Sequence, residues 1–308
     1  MIEVNNLSKS YGDRLAIDQL TFKIEKGDVV GLLGPNGAGK STTMKIITGF
    51  MAPTSGEARV CGFDVFENPI EVKKRIGYLP ETPPLYTEMT VQDYLKFVAE
   101  LKQVDKMKIK SLVDRALTKA QLLAVRSRLI KNLSKGFKQR VGIAQALVSD
   151  PEILILDEPT VGLDPKQVAE IRDLIKELRG EHTIILSTHI LPEVQATCNK
   201  VIIIHQGKIV AQDSIEQLER MNQGSIFLTV KIKKSNAALA SALKNINGIS
   251  EIEAITDQHY RIKMIEKDEL IEQVATEVIR SGAGLIELSP SRANLEDVFL
   301  KLTYGQNS

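Results

Sequence analysis

Eight residues constrain this chain more than any others: Gly34-Pro35-Asn36-Gly37-Ala38-Gly39-Lys40-Ser41, which read G-x-x-x-x-G-K-S. The apolar run Val29-Val30-Gly31-Leu32-Leu33 leads into them, and a helix-compatible stretch from Ser41 to Thr48, closed by Gly49, follows. Strand, glycine loop and helix in that order commit this part of the chain to an α/β arrangement and form the setting in which a phosphate-binding loop works. Glycines let the backbone turn its N–H groups inward around a phosphate, and the helix N-terminus adds partial positive charge. Lys40 can then reach the β- and γ-phosphates of a nucleoside triphosphate, while the Ser41 hydroxyl can ligate Mg²⁺.

A second signal is Ile153-Leu154-Ile155-Leu156-Asp157-Glu158. A buried apolar strand ending in a carboxylate suits an Asp that holds hydrated Mg²⁺ opposite a phosphate loop. The adjacent Glu158 is placed to orient an attacking water or accept its proton. Around it strand and helix alternate as a parallel sheet requires, with strands expected over 183–187 and 201–204 and a hairpin return across Gln206-Gly207. Asp164-Pro165 reads as an N-cap followed by an N1 proline, with Val168, Ile171, Leu174, Ile175 and Leu178 marking the buried stripe of the helix behind it.

Residues 1 to about 75 mix short strands with turns, and strands are expected over 2–4, 20–24, 29–33 and 58–60. From about 83 to 150 the pattern turns helical. Thr90-Val91-Gln92-Asp93 is a capping-box signal, Val91, Leu95, Val98 and Leu101 line one face, and Lys108 to Ala124 continues the helical character. A helix over 215–221 ending in Asn222-Gln223-Gly224 suggests a joint. Beyond it the predicted order β-α-β-β-α-β is ferredoxin-like, with a last helix over 294–302. At 308 residues the chain exceeds one comfortable core. The expected division is 1–220, with a helical subdomain at about 83–150, and a smaller α+β domain at 221–308.

Charge excludes some classes. With 40 basic against 39 acidic residues, nothing favours a nucleic-acid or anionic-membrane footprint. No signal segment opens the chain and no apolar stretch approaches a membrane span, so a membrane role would need another chain to do the spanning. Cys61 and Cys198 lie far apart without metal-type spacing and read as buried thiols of a reducing compartment. His182, His205 and His259 belong to no motif and read as surface or structural.

Three further stretches narrow the reading. Leu133-Ser134-Lys135-Gly136-Phe137-Lys138-Gln139-Arg140 opens a helix, and a serine and glycine at a helix N-terminus form an anion site, here with no local partner. Asp157-Glu158-Pro159-Thr160-Val161-Gly162-Leu163-Asp164 runs from the apolar strand into a second loop, and Leu186-Ser187-Thr188-His189 puts a histidine just past the next strand. In their order and spacing over about residues 1 to 220 these motifs resemble the ATP-binding cassette family, specifically the nucleotide-binding subunit of an ABC transporter.

The resemblance implies an ABC-type P-loop NTPase fold and a division of labour at the matching positions. Gly34, Pro35, Asn36, Gly37, Ala38, Gly39, Lys40, Ser41 and Thr42 would hold the phosphates of ATP. Tyr11, by itself an aromatic near a turn, would stack on adenine. Asp157, Ser41 and Glu81 would organise Mg²⁺, Glu158 would activate water, and His189 would contact the γ-phosphate. Ser134 and Gly136 would bind the γ-phosphate of ATP held by an opposite cassette, in a homodimer or a cassette heterodimer, and Asp164 would signal across that interface. The partner would be an integral-membrane permease on a separate polypeptide, with this chain cytoplasmic and peripheral on the inner face of the membrane. A soluble cassette ATPase acting on ribosomes or DNA is the alternative, and a non-hydrolysing ATP-gated module a third reading that Glu158 and His189 oppose.

Two departures stand out. Lys135 and Phe137 replace the third and fifth residues of the usual Leu-Ser-Gly-Gly-Gln signature; Lys135 either adds attraction for phosphate or faces solvent. In Ile76-Gly77-Tyr78-Leu79-Pro80-Glu81, Glu81 stands where the family usually has glutamine, and still offers oxygen to a hard cation. Both departures resemble exporter cassettes with a separate permease, and residues 133–140 are especially like the gliding-motility-associated ATP-binding subunit.

Overall fold

The chain opens with an antiparallel hairpin, β1 (Ile2–Tyr11) and β2 (Arg14–Ile24). Both strands run well beyond the segments that alternation suggests. Their register shifts between Val4 and Leu7 and again between Leu7 and Ser10, and Asn6 and Gln19 sit at φ 48° and 50°. Such bulges break the two-residue period that a sequence reading relies on. β3 (Val29–Leu33) then leads through the glycine loop into α1 (Lys40–Ile47). β4 (Ser55–Val60) and the two-residue β5 (Phe63–Asp64) join the hairpin in the order β2-β1-β4-β5.

α2 (Pro69–Arg75) precedes β6 (Ile76–Leu79), and a helical segment follows: α3 (Val91–Leu101), α4 (Lys106–Lys119) and α5 (Lys135–Leu147). Thr90 caps α3 by accepting from the Asp93 amide at 3.2 Å, and its hydroxyl donates to the Asp93 carboxylate at 2.7 Å. The shorter Asp turns the box onto the hydroxyl, where a longer acid would reach back to the cap amide. α4 starts two residues before the predicted helix because Asp105 caps it through Met107 N at 2.9 Å. It stops at Lys119, with Gln121 left-handed at φ 56°.

β7 (Ile153–Asp157), α6 (Pro165–Leu178), β8 (Thr183–Thr188), α7 (Leu191–Thr197), β9 (Lys200–His205) and β10 (Lys208–Ser214) complete a six-stranded sheet of order β10-β9-β3-β8-β7-β6. All of it is parallel except the edge pair β9–β10, whose Gln206-Gly207 turn has positive φ at both residues. A parallel sheet covered on both faces needs strands apolar on both sides, and every residue of β3, β7 and β8 is buried. One face packs on α1 and the antiparallel sheet, where Met44, Ile46 and Ile47 meet Val30, Leu32, Ile2, Val4, Leu20 and Phe22. α7 lies on the other face, against Gly31. In α6 the predicted stripe is buried at Ile171, Leu174, Ile175 and Leu178, with Val168 half-buried. Cys198 is buried, and burial pushes its thiol up to about 12. Cys61 is only half-buried because it occupies a left-handed turn at φ 52° between β4 and β5.

The computed structural model describes residues 1–220, 225–292 and Phe299, and they cluster as two units, Met1–Ile215 and a second that begins at Glu216. α8 (Ile215–Arg220) bridges that boundary in sequence. The second unit holds β11 (Ser225–Ile232), α9 (Ala237–Lys244), β12 (Ile249–Thr256), β13 (His259–Ile265), α10 (Asp268–Arg280) and β14 (Leu285–Arg292). Its sheet order, β12-β13-β11-β14, all antiparallel, is the ferredoxin-like arrangement. The helices cover one face, with Leu239, Leu243, Val274 and Val278 against Leu228, Val230 and Ile262. The predicted joint at 222–224 and final helix over 294–302 lie outside the described residues. Among the described residues, no helix is long and apolar enough to cross a membrane.

Candidate functional site

The parallel register sets the site. Leu33 pairs with Thr188 and Asp157 with Ser187, so the loops leaving β3, β7 and β8 emerge at one edge of the sheet, where open α/β sheets hold ligands. Between them lies a cleft of about 780 Å³. Asn36, Gly37, Gly39, Lys40, Ser41 and Thr42 line it, with Glu81, Glu158 and His189 opposite and Tyr11 at the rim.

Two glycines make the loop possible. A Cβ at Gly34 would run into the carbonyl of Ile204 on the neighbouring strand. Gly39, the residue before α1, has φ 113°, and a Cβ there would meet Ile17 Cγ2 at 2.7 Å and Ala16 O at 2.9 Å. The β9–β10 turn braces the loop, since Gly207 N donates to Ala38 O at 2.9 Å. Ala38 is buried and its amide donates to Pro35 O at 3.2 Å. Gly34, Pro35 and Ala38 thus form the back of the loop.

Lys40 is 5% exposed. Its ammonium donates to Gly34 O at 2.7 Å and Pro35 O at 3.2 Å, and lies 3.7 Å from Glu158 Oε1. Burial pulls its pKa below the usual lysine value, against the attraction of Glu158, Asp157 and Glu81. Asp157, also buried, accepts from the Ser41 hydroxyl at 3.4 Å, and burial raises its carboxyl, with Glu81 adding repulsion. Among the described residues no three His, Cys, Asp or Glu side chains gather as a metal cluster. The hard oxygens that do meet are those of Ser41 and Asp157, with Glu81 across the cleft.

Glu158 has φ 48°, a left-handed conformation that costs a residue with a Cβ about 1–2 kcal/mol. Its amide donates to Ser187 O at 3.0 Å and its carbonyl accepts from Val161 N at 3.2 Å, which hold the turn. Both carboxylate oxygens lie 3.1 Å from His189 Nδ1. A carboxylate only accepts, so Nδ1 carries the proton and Nε2 is the free ring nitrogen. Tyr11 is 48% exposed, with its hydroxyl 3.1 Å from Met51 Sδ and Lys9 Nζ 5.6 Å from the ring centre.

The fold keeps Ser134, Gly136 and Asp164 away from this cleft. Ser134 caps α5 through Phe137 N at 3.4 Å. With Gly136 it lines a separate groove of about 220 Å³, beside Gln121, Phe137, Arg140, Gln167 and Glu170. Buried Arg140 fixes that groove through Ala120 O, Gln121 and Glu170 at 3.2, 3.0 and 2.6 Å. Asp164 caps α6 through Gln167 N at 3.0 Å. Lys135 takes the second of its two expected courses: it faces solvent, with its ammonium passing over Gly162, close to where a Cβ there would lie. Of the remaining histidines, His182 is buried with Nδ1 2.6 Å from Pro151 O.

Sequence reading missed Arg14, Leu15 and Ala16 at the start of β2, Val161 after Glu158, and the Gln206-Gly207 turn, which also line the main cleft, because no residue type marks these positions for nucleotide contact. It also missed Glu193, which is 1% exposed and bonded to Thr160 and Thr188. Its only signal was an acid in the first turn of the helix after His189.

Comparison with known proteins agrees with this geometry. Residues 17–161 match the model of the ABC transporter family. The chain is 34% identical over 308 residues to the bacitracin transport ATP-binding protein BcrA of Bacillus licheniformis, covering 99% of this chain and 98% of that one. It is 40% identical over 231 residues to the lantibiotic transport ATP-binding protein SrtF of Streptococcus pyogenes, covering 74% of this chain and 98% of the relative. Among solved structures it resembles the dimeric post-hydrolysis state of the ATP-binding cassette MJ0796 bound to ADP and Pi, with TM-score 0.64 and 25% identity over 70% of this chain and 98% of that one. The gliding-motility likeness of residues 133–140 has no counterpart in these three names.

Proposed function

Because the chain belongs to the ABC transporter family, and so is an ATP-binding ATPase subunit, we propose that it dimerises on ATP and powers export through a separate integral-membrane permease. The observation that carries this reading is the Glu158 carboxylate, held between Lys40 and His189 at the mouth of the glycine loop.

Gly34 to Thr42 hold the phosphates, and Lys40 leaves the Gly34 and Pro35 carbonyls for the β- and γ-oxygens. Tyr11 offers its ring to adenine. Ser41, Asp157 and Glu81 supply hard oxygens suited to Mg²⁺, which when bound neutralises charge on the triphosphate. Glu158 orients the attacking water and accepts its proton. His189, its Nδ1 engaged by Glu158, presents Nε2 to the γ-phosphate.

Ser134 and Gly136, facing a groove of their own, act on the nucleotide of a second cassette, with Asp164 beside that interface. The second cassette is another copy or a related chain, as the dimeric neighbour suggests. The cassette occupies 1–220, with 83–150 passing motion to the permease, and 221–308 is an accessory domain. Through the permease the chain sits on the inner face of the cell membrane. The relatives' transport names support this over action on ribosomes or DNA.

Steady-state hydrolysis by Glu158→Gln beside wild type tests the catalytic assignment. Loss of at least about 100-fold in kcat is expected for a general base, and an equal rate would overturn it. Co-purification from membranes with a permease tests the assembly.

A further inference from the structure

A carboxylate removed from water is costly unless its lone pairs are filled, and Glu193, 1% exposed, lies next to the site without touching its cleft. Its Oε1 accepts from the Thr160 hydroxyl at 2.6 Å and its Oε2 from the Thr188 hydroxyl at 2.9 Å. Arg172 stands 3.8 Å from Oε1, too far for a hydrogen bond, and offers charge alone. Thr160 lies two residues after Glu158 in the loop leaving β7. Thr188 precedes His189, and its oxygen also accepts from Ile190 N at 3.0 Å. One side chain on α7 therefore spans the two loops that present Glu158 and His189.

That bridge has a mechanical purpose. Glu158 occupies a left-handed conformation that its own side chain disfavours, and His189 is 42% exposed, with the Glu158 carboxylate at its Nδ1. A strained turn and a half-free ring keep a fixed separation only if something outside both restrains them. The Glu193 carboxylate does so through two charge-assisted bonds, one to Thr160 and one to Thr188. We infer that Glu193 is a positioning residue for ATP hydrolysis, setting the spacing of Glu158 and His189 through Thr160 and Thr188. The inference rests on the reading of those two residues as the hydrolytic pair.

The test compares Glu193→Ala, Glu193→Gln, Thr160→Val and Glu158→Gln in the full chain, with rates normalised to sites that bind a fluorescent ATP analogue. Glu193→Ala is expected to lower kcat at least tenfold while the KM for ATP stays within threefold. A glutamine can still pair with both hydroxyls, one of them turning to accept, so Glu193→Gln should recover most of that loss. Thr160→Val removes one arm and should lower kcat about threefold or more; it carries the test if Glu193→Ala does not fold. A merely structural role would lower the melting temperature and leave kcat per binding site alone. Glu193→Ala or Thr160→Val with kcat within twofold of wild type, beside an inactive Glu158→Gln, overturns the inference. A Glu193→Gln as slow as the alanine variant also overturns it. A fully active Glu158→Gln would instead remove the catalytic pair on which it rests.

Discussion

Substituting Gly31 by alanine should damage hydrolysis from the far side of the sheet. Gly31 lies in β3, on a strand backbone that any residue adopts, so conformation is not the obstacle. Space is: a Cβ there would come to 2.7 and 3.0 Å from the two Val194 methyls and 3.3 Å from Cys198 Sγ. Val194 is a buried residue of α7 and Cys198, also buried, caps its end, so α7 must move away by several tenths of an ångström. Overpacking of this kind costs about 1–3 kcal/mol, and the lost glycine entropy returns about 0.5 kcal/mol. For a unit the size of Met1–Ile215 the net change of about 0.5–2.5 kcal/mol lowers Tm by about 1–10 °C. Because Glu193 neighbours Val194 on α7, kcat should fall in the same variant. The second half of the cycle is Val194→Ala, which removes two buried methyls at about 2 kcal/mol. In the double variant the methyl added at position 31 enters the space that the Val194 methyls leave, so the losses should fall short of their sum by about 1–2 kcal/mol. Calorimetry of the full chain reads the stability and a coupled-enzyme assay reads kcat. Additive losses, within about 0.4 kcal/mol, or a Gly31→Ala protein as stable as wild type, would refute the packing argument.

Two other substitutions have distinct signatures. At the entry to β3, burial alone would raise the Asp28 carboxyl, but Lys200, the Glu25 amide and Asn199 outweigh it and hold it below 3.8. A carboxyl lowered on folding stabilises above its unfolded pKa and loses that contribution as pH falls through the lower folded value. Asp28→Asn should therefore cost about 1–2 kcal/mol at pH 7 and progressively less in melts taken from about pH 4 downward; a cost independent of pH would contradict the ion-pair account. Glu81→Gln should keep ATPase activity, because the amide still offers an oxygen at the same place. A fall beyond tenfold, about 1.4 kcal/mol in barrier, would show that the carboxylate charge is required.

How much of this could be read in advance depended on what kind of order each element carries. β3, β7 and β8 were legible because burial on both faces leaves unbroken apolar runs, and the glycine loop because phosphate binding allows few residue types at Gly34, Gly39, Lys40 and Ser41. β1 and β2 were read too short, since left-handed Asn6 and Gln19 break the alternation. The tight turn at Cys61 leaves half-buried a thiol that composition alone would bury. α2 and β5 went unread because seven and two residues carry too little pattern. In the site, Glu158 and His189 were visible as motif residues, but their contact was not, since it depends on the parallel register of β7 and β8. Glu193 was invisible for a related reason: its partners lie five and thirty-three residues away and are hydroxyls with no motif of their own. That Lys135 faces solvent could not be chosen from sequence, because both expected courses were equally open to a long flexible side chain.

The central claim is that the cleft around Lys40 is half of a site and that Ser134 of a second cassette completes it. Light scattering of Glu158→Gln with and without a Ser134→Arg substitution, each with saturating ATP and Mg²⁺, tests this directly when paired with ATP binding at low protein concentration. Ser134 does not line the Lys40 cleft, so the account predicts ATP affinity within about threefold, a change under 1 kcal/mol, together with loss of the ATP-dependent dimer. A Ser134→Arg protein that dimerises as well as its parent, or a monomer that can no longer bind ATP, would contradict it.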